Sequence, residues 1–367
     1  MTFPPVALTL DTAVLDRWQR AAESGQLFAL GQRLRALGLN ETAVEQVFSV
    51  RSAVHAPWHA QVLQLQARAG DFSEALVVPP AALMAHLWVG GTHLERARVA
   101  RRLGHDLDFL CELGLLHVEG DRVSATVAIL PVGGALAVSD RADIDHGREV
   151  VMFPDDSALH TVGALPIRPL PPGSGWLDVG TGSAVAPLMR PDLAGHIVGT
   201  DINPRAIAMA RLGAALSRIG HVQFRVADLL AGGQLVENRG APWRLITFNA
   251  PIPSGQTADD NHAHTPWYRY GARDILERFW REVPALVADD GEVLVHSVLP
   301  DGAFPPWLAP LSGEVSVVQY TPPNMVPAFG VSAWRPAGQA TGRQRRRHLV
   351  QLLSTAAPHI TRANLGH

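Results

Sequence analysis

The sequence predicts a two-domain protein in which a mainly helical N-terminal domain precedes an α/β domain with a doubly wound sheet. Its 367 residues exceed the size of one ordinary domain. Apolar positions recur at helical spacing over the first hundred residues and are followed by a hairpin pattern. From about residue 175 short apolar strands alternate regularly with helices. A hydrophobic content of 47% and a charged content of 18% exclude a disordered chain or a coiled coil.

Composition also excludes several kinds of site. The formal net charge is −3, which does not indicate a nucleic-acid binder by bulk charge. Cys111 is the only cysteine, so a disulfide framework and a multi-cysteine zinc or iron–sulfur site are excluded. All 31 basic residues are arginine, which excludes Schiff-base chemistry and phosphate binding by a Walker-type lysine. We assign no metal site.

No targeting or membrane segment is expected. Residues 1–10 lack a charged region followed by an apolar core. The most apolar stretch, 124–139, is too short to span a bilayer and is interrupted by Pro131, Gly133 and Gly134. These patterns predict a soluble, cytoplasmic protein without a membrane partner.

The N-terminal elements follow the order of a winged helix. Helices are predicted over 11–69 (interrupted at Gly38 and restarted at Asn40), 81–89, 94–103 and 107–113, and a hairpin over 115–118 and 122–129. A helix that reads a DNA groove should be basic, whereas 106–113 carries Asp106, Asp108 and Glu112. We therefore favour a packing or substrate-covering module over nucleic-acid binding.

The second domain is predicted from its alternating elements. Strands are expected over 176–179, 197–200, 222–226, 245–248, 291–297, 315–320 and 330–334, and helices over 184–189, 205–216 and 275–287. The last two strands pair as an antiparallel hairpin. The predicted limits are 1–139 for the N-terminal domain, 140–174 for a junction, 175–340 for the α/β domain and 341–367 for a basic helix or tail.

A glycine-rich turn follows the first strand of this domain. Asp178-Val179-Gly180-Thr181-Gly182-Ser183-Ala184 places an acid and two glycines where a strand gives way to a helix. Such a turn lets the backbone approach a ligand closely. A dinucleotide fingerprint requires a small residue at position 185, which is Val185, and this argues against NAD.

Polar residues recur at the ends of the next strands. Asp201, 23 residues after Asp178, precedes Ile202, Asp228 follows the third strand, and Asn249-Ala250-Pro251-Ile252 follows the fourth. The carboxyl ends of parallel strands meet in one crevice, so these residues are expected to lie together. An acid at Asp201 can accept both hydroxyls of a ribose.

Together these motifs resemble the class I S-adenosylmethionine (SAM)-dependent methyltransferases. The resemblance covers roughly residues 150–335. Within the family, the chain looks most like the branch with an Asn-Pro-Pro-Tyr-type motif, which includes release-factor glutamine and ribosomal-RNA guanine-N2 methyltransferases. It implies a seven-stranded Rossmann-like sheet with SAM as cofactor. The implied cofactor-binding residues are Asp178, Gly180, Thr181, Gly182, Asp201, Ile202, Asp228 and Asn249.

The fourth motif departs from the family's pattern. The resemblance implies that Asn249 and the Ala250 carbonyl, next to Pro251, hold the hydrogens of a planar amine or amide. Ile252 lacks the aromatic ring that stacks on the substrate in the family. Trp267, Tyr268 or Tyr270 either replace that ring or pack in the core.

Two histidines in the following loop are candidate substrate-site residues. His262 and His264 are candidates for a general base, which an oxygen or carbon nucleophile would require, or for metal ligands. The competing interpretation is that the two histidines lie in a solvated loop. Because this loop directly follows Asn249, it also suits a substrate lid.

Two further segments have alternative interpretations. Phe153-Pro154-Asp155-Asp156-Ser157 either covers the cofactor or links the domains. Arg343-Gln344-Arg345-Arg346-Arg347-His348 either binds phosphate or begins a solvated helix.

The sequence therefore predicts a SAM-dependent methyltransferase that methylates nitrogen in a small molecule or peptide. Methylation of ribosomal RNA or of a translation factor is the alternative within the same chemistry. A winged-helix regulator that senses SAM is the alternative of another class. The oligomeric state is not predicted.

Overall fold

The computed structural model describes residues 6–68, 78–144, 147–228, 241–252, 273–299, 305–321, 328–336, 346–354 and 358–364. Contacts between Cα atoms divide the chain into two compact units. The first comprises Met1–Asp156, Gly182–Met189 and Pro204–Gly220, and the second Ser157–Thr181, Arg190–Asn203 and His221–His367. Both units are discontinuous in sequence. The domain limits given above stay a prediction.

The first unit begins with short helices and ends its N-terminal part with two hairpins. Its helices are α1 (Thr12–Glu23), α2 (Gln26–Ala36), α3 (Glu41–Phe48), α4 (Ala56–Arg68), α5 (Leu83–Trp88), α6 (Arg96–Leu103) and α7 (Asp106–Glu112). Its strands are β1 (Leu94–Glu95), β2 (Leu116–Glu119), β3 (Arg122–Ala125), β4 (Ala128–Val132) and β5 (Ala135–Ser139). Asp11 and Asn40 cap α1 and α3, because each side chain accepts a backbone N–H of the first turn.

The later elements are α8 (Asp156–Ala164), β6 (Gly175–Val179), α9 (Val185–Met189), β7 (His196–Asp201), α10 (Pro204–Leu216), β8 (Val222–Val226), β9 (Trp243–Asn249), α11 (Arg273–Glu282), β10 (Val287–Leu299), β11 (Glu314–Thr321), β12 (Ala328–Arg335), β13 (Arg346–Ser354) and β14 (Pro358–Asn364). Helices and strands alternate from α8 to β8, and β10 to β14 then follow one another as strands. The helices α9 and α10 pack on β5, and α10 also contacts α1 and α2, which places both in the first unit.

A buried ion pair joins α10 to the end of β5 within the first unit. The guanidinium of Arg205 donates to Asp140, with the shortest N–O distance 2.5 Å, and also to the carbonyl of Leu8 at 3.0 Å. Both side chains of the pair are buried. The carboxylate of Asp140 also accepts the N–H of Val151, at 2.8 Å. The polar groups are thus matched by several partners, as a buried charge requires.

The central sheet belongs to the second unit. Among the described residues its strand order is β14-β13-β11-β12-β10-β9-β6-β7-β8. Strands β6 to β10 run parallel to their neighbours among themselves, and β12 is antiparallel to both β10 and β11. The predicted strand–helix alternation and the final hairpin are confirmed. Strands β13 and β14 extend the predicted set of seven at one edge.

Apolar side chains of the sheet and of α11 form the core of this unit. Leu276, Phe279 and Trp280 of α11 belong to one buried cluster with Ile246 of β9 and Val295 of β10. The parallel strands are therefore apolar along most of their length, as buried parallel strands are. Within the described ranges, every helix is too short or too polar to cross a bilayer.

Several predicted element limits are wrong. The strand predicted over 122–129 ends at Ala125, and 128–139 forms a second hairpin around the Gly133-Gly134 turn. The helix predicted over 275–287 ends at Glu282, because the chain enters β10 at Val287. Helix α8 lies within the predicted junction, 140–174, whose limits stay a prediction. The basic helix predicted before Leu349 is instead β13, whose backbone pairs with β11, so tertiary pairing overrides local propensity there.

Candidate active site

The glycine turn after β6 is fixed by backbone geometry. Gly180 has a φ of +58°, which L side chains rarely adopt, and an added Cβ would lie 3.2 Å from Cε2 of Phe248. The N–H of Thr181 donates to the carbonyl of Thr200 at 2.8 Å, which ties the turn to β7. Gly182 also has a positive φ, of +53°. Two positions of the turn therefore carry no side chain, and Gly180 is exposed.

Asp178 lies beneath this turn and anchors it. Its carboxylate is buried and accepts the hydroxyl hydrogens of Thr181 at 2.6 Å and Thr247 at 2.5 Å, one on each oxygen. Trp176 Nε1 donates in turn to the Thr247 hydroxyl at 2.8 Å. Burial raises the pKa of Asp178 to about 6, the two hydroxyl hydrogen bonds oppose that rise, and the charge of Asp201 adds to it. Asp178 thus connects the turn to β9 within the protein.

Asp201 ends β7 beside this turn. One carboxylate oxygen of Asp201 accepts the N–H of Asn203 at 2.9 Å, and the backbone carbonyl of Asp201 accepts the N–H of Ala227 at 3.0 Å. These bonds hold a half-buried carboxylate at the carboxyl end of the strand. Asp228 follows the neighbouring strand β8 and is exposed. The two acids predicted from the sequence therefore lie at adjacent strand ends.

Exposed apolar side chains accompany these acids. Ile202, Val226 and Ile252 are 40%, 53% and 39% exposed, although each is a large hydrophobic residue. They lie at the carboxyl ends of β7, β8 and β9. Apolar surface next to carboxylates suits a ligand that has a flat apolar ring and hydroxyl groups. Sequence reasoning missed Val226, whose signal is an apolar residue two positions before Asp228.

Asn249 ends β9 with both ends of its side chain engaged. Its Nδ2 donates to Ser157 Oγ at 2.8 Å, and its Oδ1 lies 2.9 Å from Nδ1 of His296. His296 is the residue paired with Asn249 in the parallel register of β9 and β10, and its carbonyl accepts the N–H of Ala250 at 2.9 Å. Burial, with the nearby His160, lowers the pKa of His296 to about 3, so the imidazole is neutral. Its Nδ1–H donates to Asn249.

Aromatic rings and α8 surround this pair. The ring of His296 lies 6.0 Å from that of His160 and 6.1 Å from that of Phe329, with interplanar angles of 12° and 13°. His160 and Ser157 are three residues apart on α8. Sequence reasoning missed both histidines. His296 could have been found from the sequence, because an imidazole directly follows the apolar run of β10 from Val293 to Val295.

The structure brings together most of the predicted site. Five strands are successive neighbours in the sheet, in the order β8-β7-β6-β9-β10. The residues at or near their carboxyl ends therefore form one row, which contains Asp228, Asp201, Gly180, Asn249 and His296. Ala250 is buried, and Pro251 is half-buried. The predicted substrate residues His262, His264, Trp267 and Tyr268, with Tyr270, lie outside the described residues.

Comparison with known proteins gives matches only among solved structures. No family model and no curated protein matches the chain. Over 49% of its length the chain is similar to 77% of a ribosomal protein L11 methylase from Lactobacillus delbrueckii subsp. bulgaricus, with 19% identity and a TM-score of 0.35. Over 93% of its length it is similar to 86% of a type I restriction-modification methyltransferase subunit from Streptococcus thermophilus, with 13% identity and a TM-score of 0.39. Over 44% it is similar to 85% of the N-methyltransferase NodS from Bradyrhizobium japonicum WM9, with 18% identity and a TM-score of 0.33.

Proposed function

We propose that the chain is a SAM-dependent methyltransferase that methylates a neutral nitrogen of a small molecule or peptide. One observation carries the proposal. A glycine turn, a half-buried carboxylate and an oriented asparagine follow three strands, β6, β7 and β9, that are direct neighbours in the sheet. In open α/β sheets, ligands bind outside the carboxyl ends of the strands.

The residues at this edge fit the cofactor. Gly180 is exposed at the turn where the methionine part would lie, and a side chain added there would meet Phe248. Asp201 would accept the ribose hydroxyls, and Asp228 would accept the adenine amino group. The exposed side chains of Ile202 and Val226 offer apolar surface for the adenine ring. When bound, SAM supplies a methyl group already activated by its sulfonium.

The protein's own contribution is to align the acceptor and exclude water. Oδ1 of Asn249 and the carbonyl of Ala250 would accept the hydrogens of a planar amine or amide. This orients the nitrogen lone pair and requires no strong general base. The exposed side chain of Ile252 would supply apolar contact to the acceptor.

Methylation of a nucleic acid is favoured by a different observation. Helices α5, α6 and α7 precede the β2–β3 hairpin, and the small sheet has the strand order β1-β3-β2. Helix α6 exposes Arg96, Arg101 and Arg102, whereas α7 exposes Asp108 and Glu112. If the chain methylates RNA, or if it is a SAM-sensing regulator, the basic face of α6 would contact the nucleic acid. Binding of RNA by the chain should then weaken steeply with rising salt in a mobility-shift assay.

Isothermal titration with SAM tests the proposal. The wild-type chain should bind SAM, and Asp201→Ala should weaken binding by roughly 10- to 100-fold, because it removes charged acceptors of the ribose hydroxyls. Asp289→Ala is the matched control, since it removes an exposed carboxylate near the opposite, amino-terminal end of β10. Absence of binding at sub-millimolar SAM, or equal affinity of wild type and Asp201→Ala, would refute the proposed function.

A further inference from the structure

We propose that His296 and Ser157 are positioning residues that fix the orientation of the Asn249 carboxamide for the methyl acceptor. The inference rests on the proposed function and adds two residues to it. Among the described residues, the amide of Asn249 contacts His296 at Oδ1 and Ser157 at Nδ2. Rotation of the amide by half a turn would place its NH2 group against the Nδ1–H of His296.

The protonation state of His296 determines which end of the amide it holds. The imidazole is 3% exposed, and its burial makes the charged form unfavourable. A neutral imidazole carries one N–H. With that N–H on Nδ1, the ring accepts nothing from Asn249 and donates to Oδ1. That hydrogen bond uses one lone pair of Oδ1, and the second would accept an N–H of the methyl acceptor.

The plane of the imidazole is itself restrained. Two rings, His160 and Phe329, lie nearly parallel to it. The backbone of His296 is fixed by pairing with Asn249 on one side and with Val331 of β12 on the other. The donor therefore reaches Asn249 from a rigid strand in the sheet interior, which is the precise support that a reacting group requires.

Helix α8 supplies the second restraint. Ser157 and His160 lie three residues apart, so they share one face of the helix, and one contacts Asn249 while the other stacks on His296. A segment expected only to cover the cofactor or link the domains thus contributes directly to the orientation of the substrate-binding amide.

Nitrogen NMR tests the orientation without requiring activity. In protein labelled with 15N-histidine, Nδ1 of His296 should give the shift of a protonated ring nitrogen and Nε2 that of an unprotonated one. An unprotonated Nδ1 would overturn the inference, because that nitrogen would then accept from the amide rather than donate to it.

A variant series tests the effect on turnover. The probe acceptor is a short peptide with a glutamine amide, or aniline, assayed with methyl-labelled SAM. His296→Leu should lower kcat roughly 10- to 100-fold while the Kd for SAM changes less than about twofold, because alignment rather than cofactor binding is lost. His296→Asn should restore most of kcat, since its Nδ2–H replaces the Nδ1–H.

Further variants separate this result from a folding defect. Ser157→Ala should lower kcat less than His296→Leu, and Ser157→Thr should retain it. His221→Leu, at an exposed histidine before β8, is the control and should change neither kcat nor Kd. Equal kcat for wild type, His296→Leu and His296→Asn, with normal SAM binding, would overturn the inference and leave the proposed function standing. If the wild-type chain does not bind SAM, the proposed function itself is refuted. The NMR result would still decide the orientation of the Asn249 amide.

Discussion

The imidazole Nδ1 of His296 lies 2.9 Å from Oδ1 of Asn249, and the two residues are direct partners on neighbouring parallel strands. They form a polar contact next to a cluster of buried apolar side chains that includes Phe248, Ala250 and Val295. A buried polar pair of this kind is costly unless both groups are satisfied. The pair lies near the carboxyl ends of β9 and β10, and the Gly180 turn and Asp201 lie at the carboxyl ends of β6 and β7.

Replacement of Asn249 should separate catalysis from cofactor binding. Asn249→Ala is expected to leave SAM affinity nearly unchanged and to lower turnover on the order of 100-fold, about 3 kcal/mol. Asn249→Asp keeps the shape and an acceptor oxygen, so it should retain part of the activity with a neutral amine or amide. With an anionic oxygen nucleophile, charge repulsion should abolish activity. Labelled methyl transfer, SAM titration and melting temperature measure these effects.

The result for Asn249 also tests a purely structural role. If Asn249 only caps the turn before Pro251, both variants should lose stability together with activity. A normal melting temperature with lost turnover supports the proposed role. Full turnover of Asn249→Ala would reject it.

Gly180→Val should abolish SAM binding in a folded protein. The φ of Gly180 is +58°, and an added side chain would meet Phe248 and cover the backbone of the turn. Gly120→Val is a matched control, because Gly120 has the same φ of +58° in the β2–β3 turn and an added Cβ there meets nothing within 4 Å. Circular dichroism and SAM titration measure both variants. Retained affinity in Gly180→Val would show that the turn does not hold the cofactor.

Asp178→Asn should change how stability depends on pH. Burial raises the pKa of Asp178 from 3.8 to about 6, so the folded protein holds a proton between these values that the unfolded chain releases. The stabilisation by the protonated carboxyl is complete below about pH 4 and is lost as the pH rises through about 6. Two pKa units correspond to about 3 kcal/mol. Urea unfolding at about pH 4 and pH 7.5 should show the stability of wild type relative to Asp178→Asn falling by that order. A difference that rises with pH would contradict the assignment.

Gly199→Ala should destabilise the site through Thr181. An added Cβ would lie 2.9 Å from Oγ1 of Thr181, whose hydroxyl binds Asp178, and 2.8 Å from Cδ1 of Phe224. Such overpacking costs about 1–3 kcal/mol. Gly195→Ala, before the same strand, is the control because an added Cβ there has no neighbour within 4 Å. Thermal unfolding of the two variants should differ, and equal melting temperatures would disprove the close packing.

The buried pair of Asp140 and Arg205 should be strongly coupled. Either Asp140→Leu or Arg205→Leu alone leaves a buried charge unpaired and should cost about 3–5 kcal/mol of unfolding free energy. The double variant should recover part of that loss. The pair of Arg190 and Asp192 is the control. The Asp192 side chain is 57% exposed, so Asp192→Ala should change stability by less than about 1 kcal/mol. Additive losses in the double variant would show that the two side chains are not coupled.

Local sequence patterns were sufficient to predict much of the α/β sheet. Short apolar runs separated by helices predicted β6 to β12, because strand and helix periodicities are properties of contiguous residues. The Gly180 turn and the acids at Asp201 and Asp228 were predicted for the same reason: each directly follows a strand. The second hairpin, 128–139, was missed although Gly133-Gly134 is a local turn signal.

Elements that depend on distant partners were not predicted. Strand β13 forms where local propensity indicated a helix, because its backbone pairs with β11. The helices α9 and α10 follow β6 and β7 in sequence, yet they pack with α1, α2 and β5. Neither relationship has a signature within a window of adjacent residues.

The sequence by itself therefore determined the α/β class, the glycine turn and the residues that end each strand. Tertiary structure alone decided which distant side chains form hydrogen bonds with those residues. Asn249 and His296 are 47 residues apart, and Ser157 is 92 residues from Asn249. Parallel pairing of β9 with β10 and the position of α8 bring the three together. Burial then makes the imidazole neutral, because a charge removed from water is unfavourable. That environment, and with it the orientation of Asn249, exists only in the folded chain.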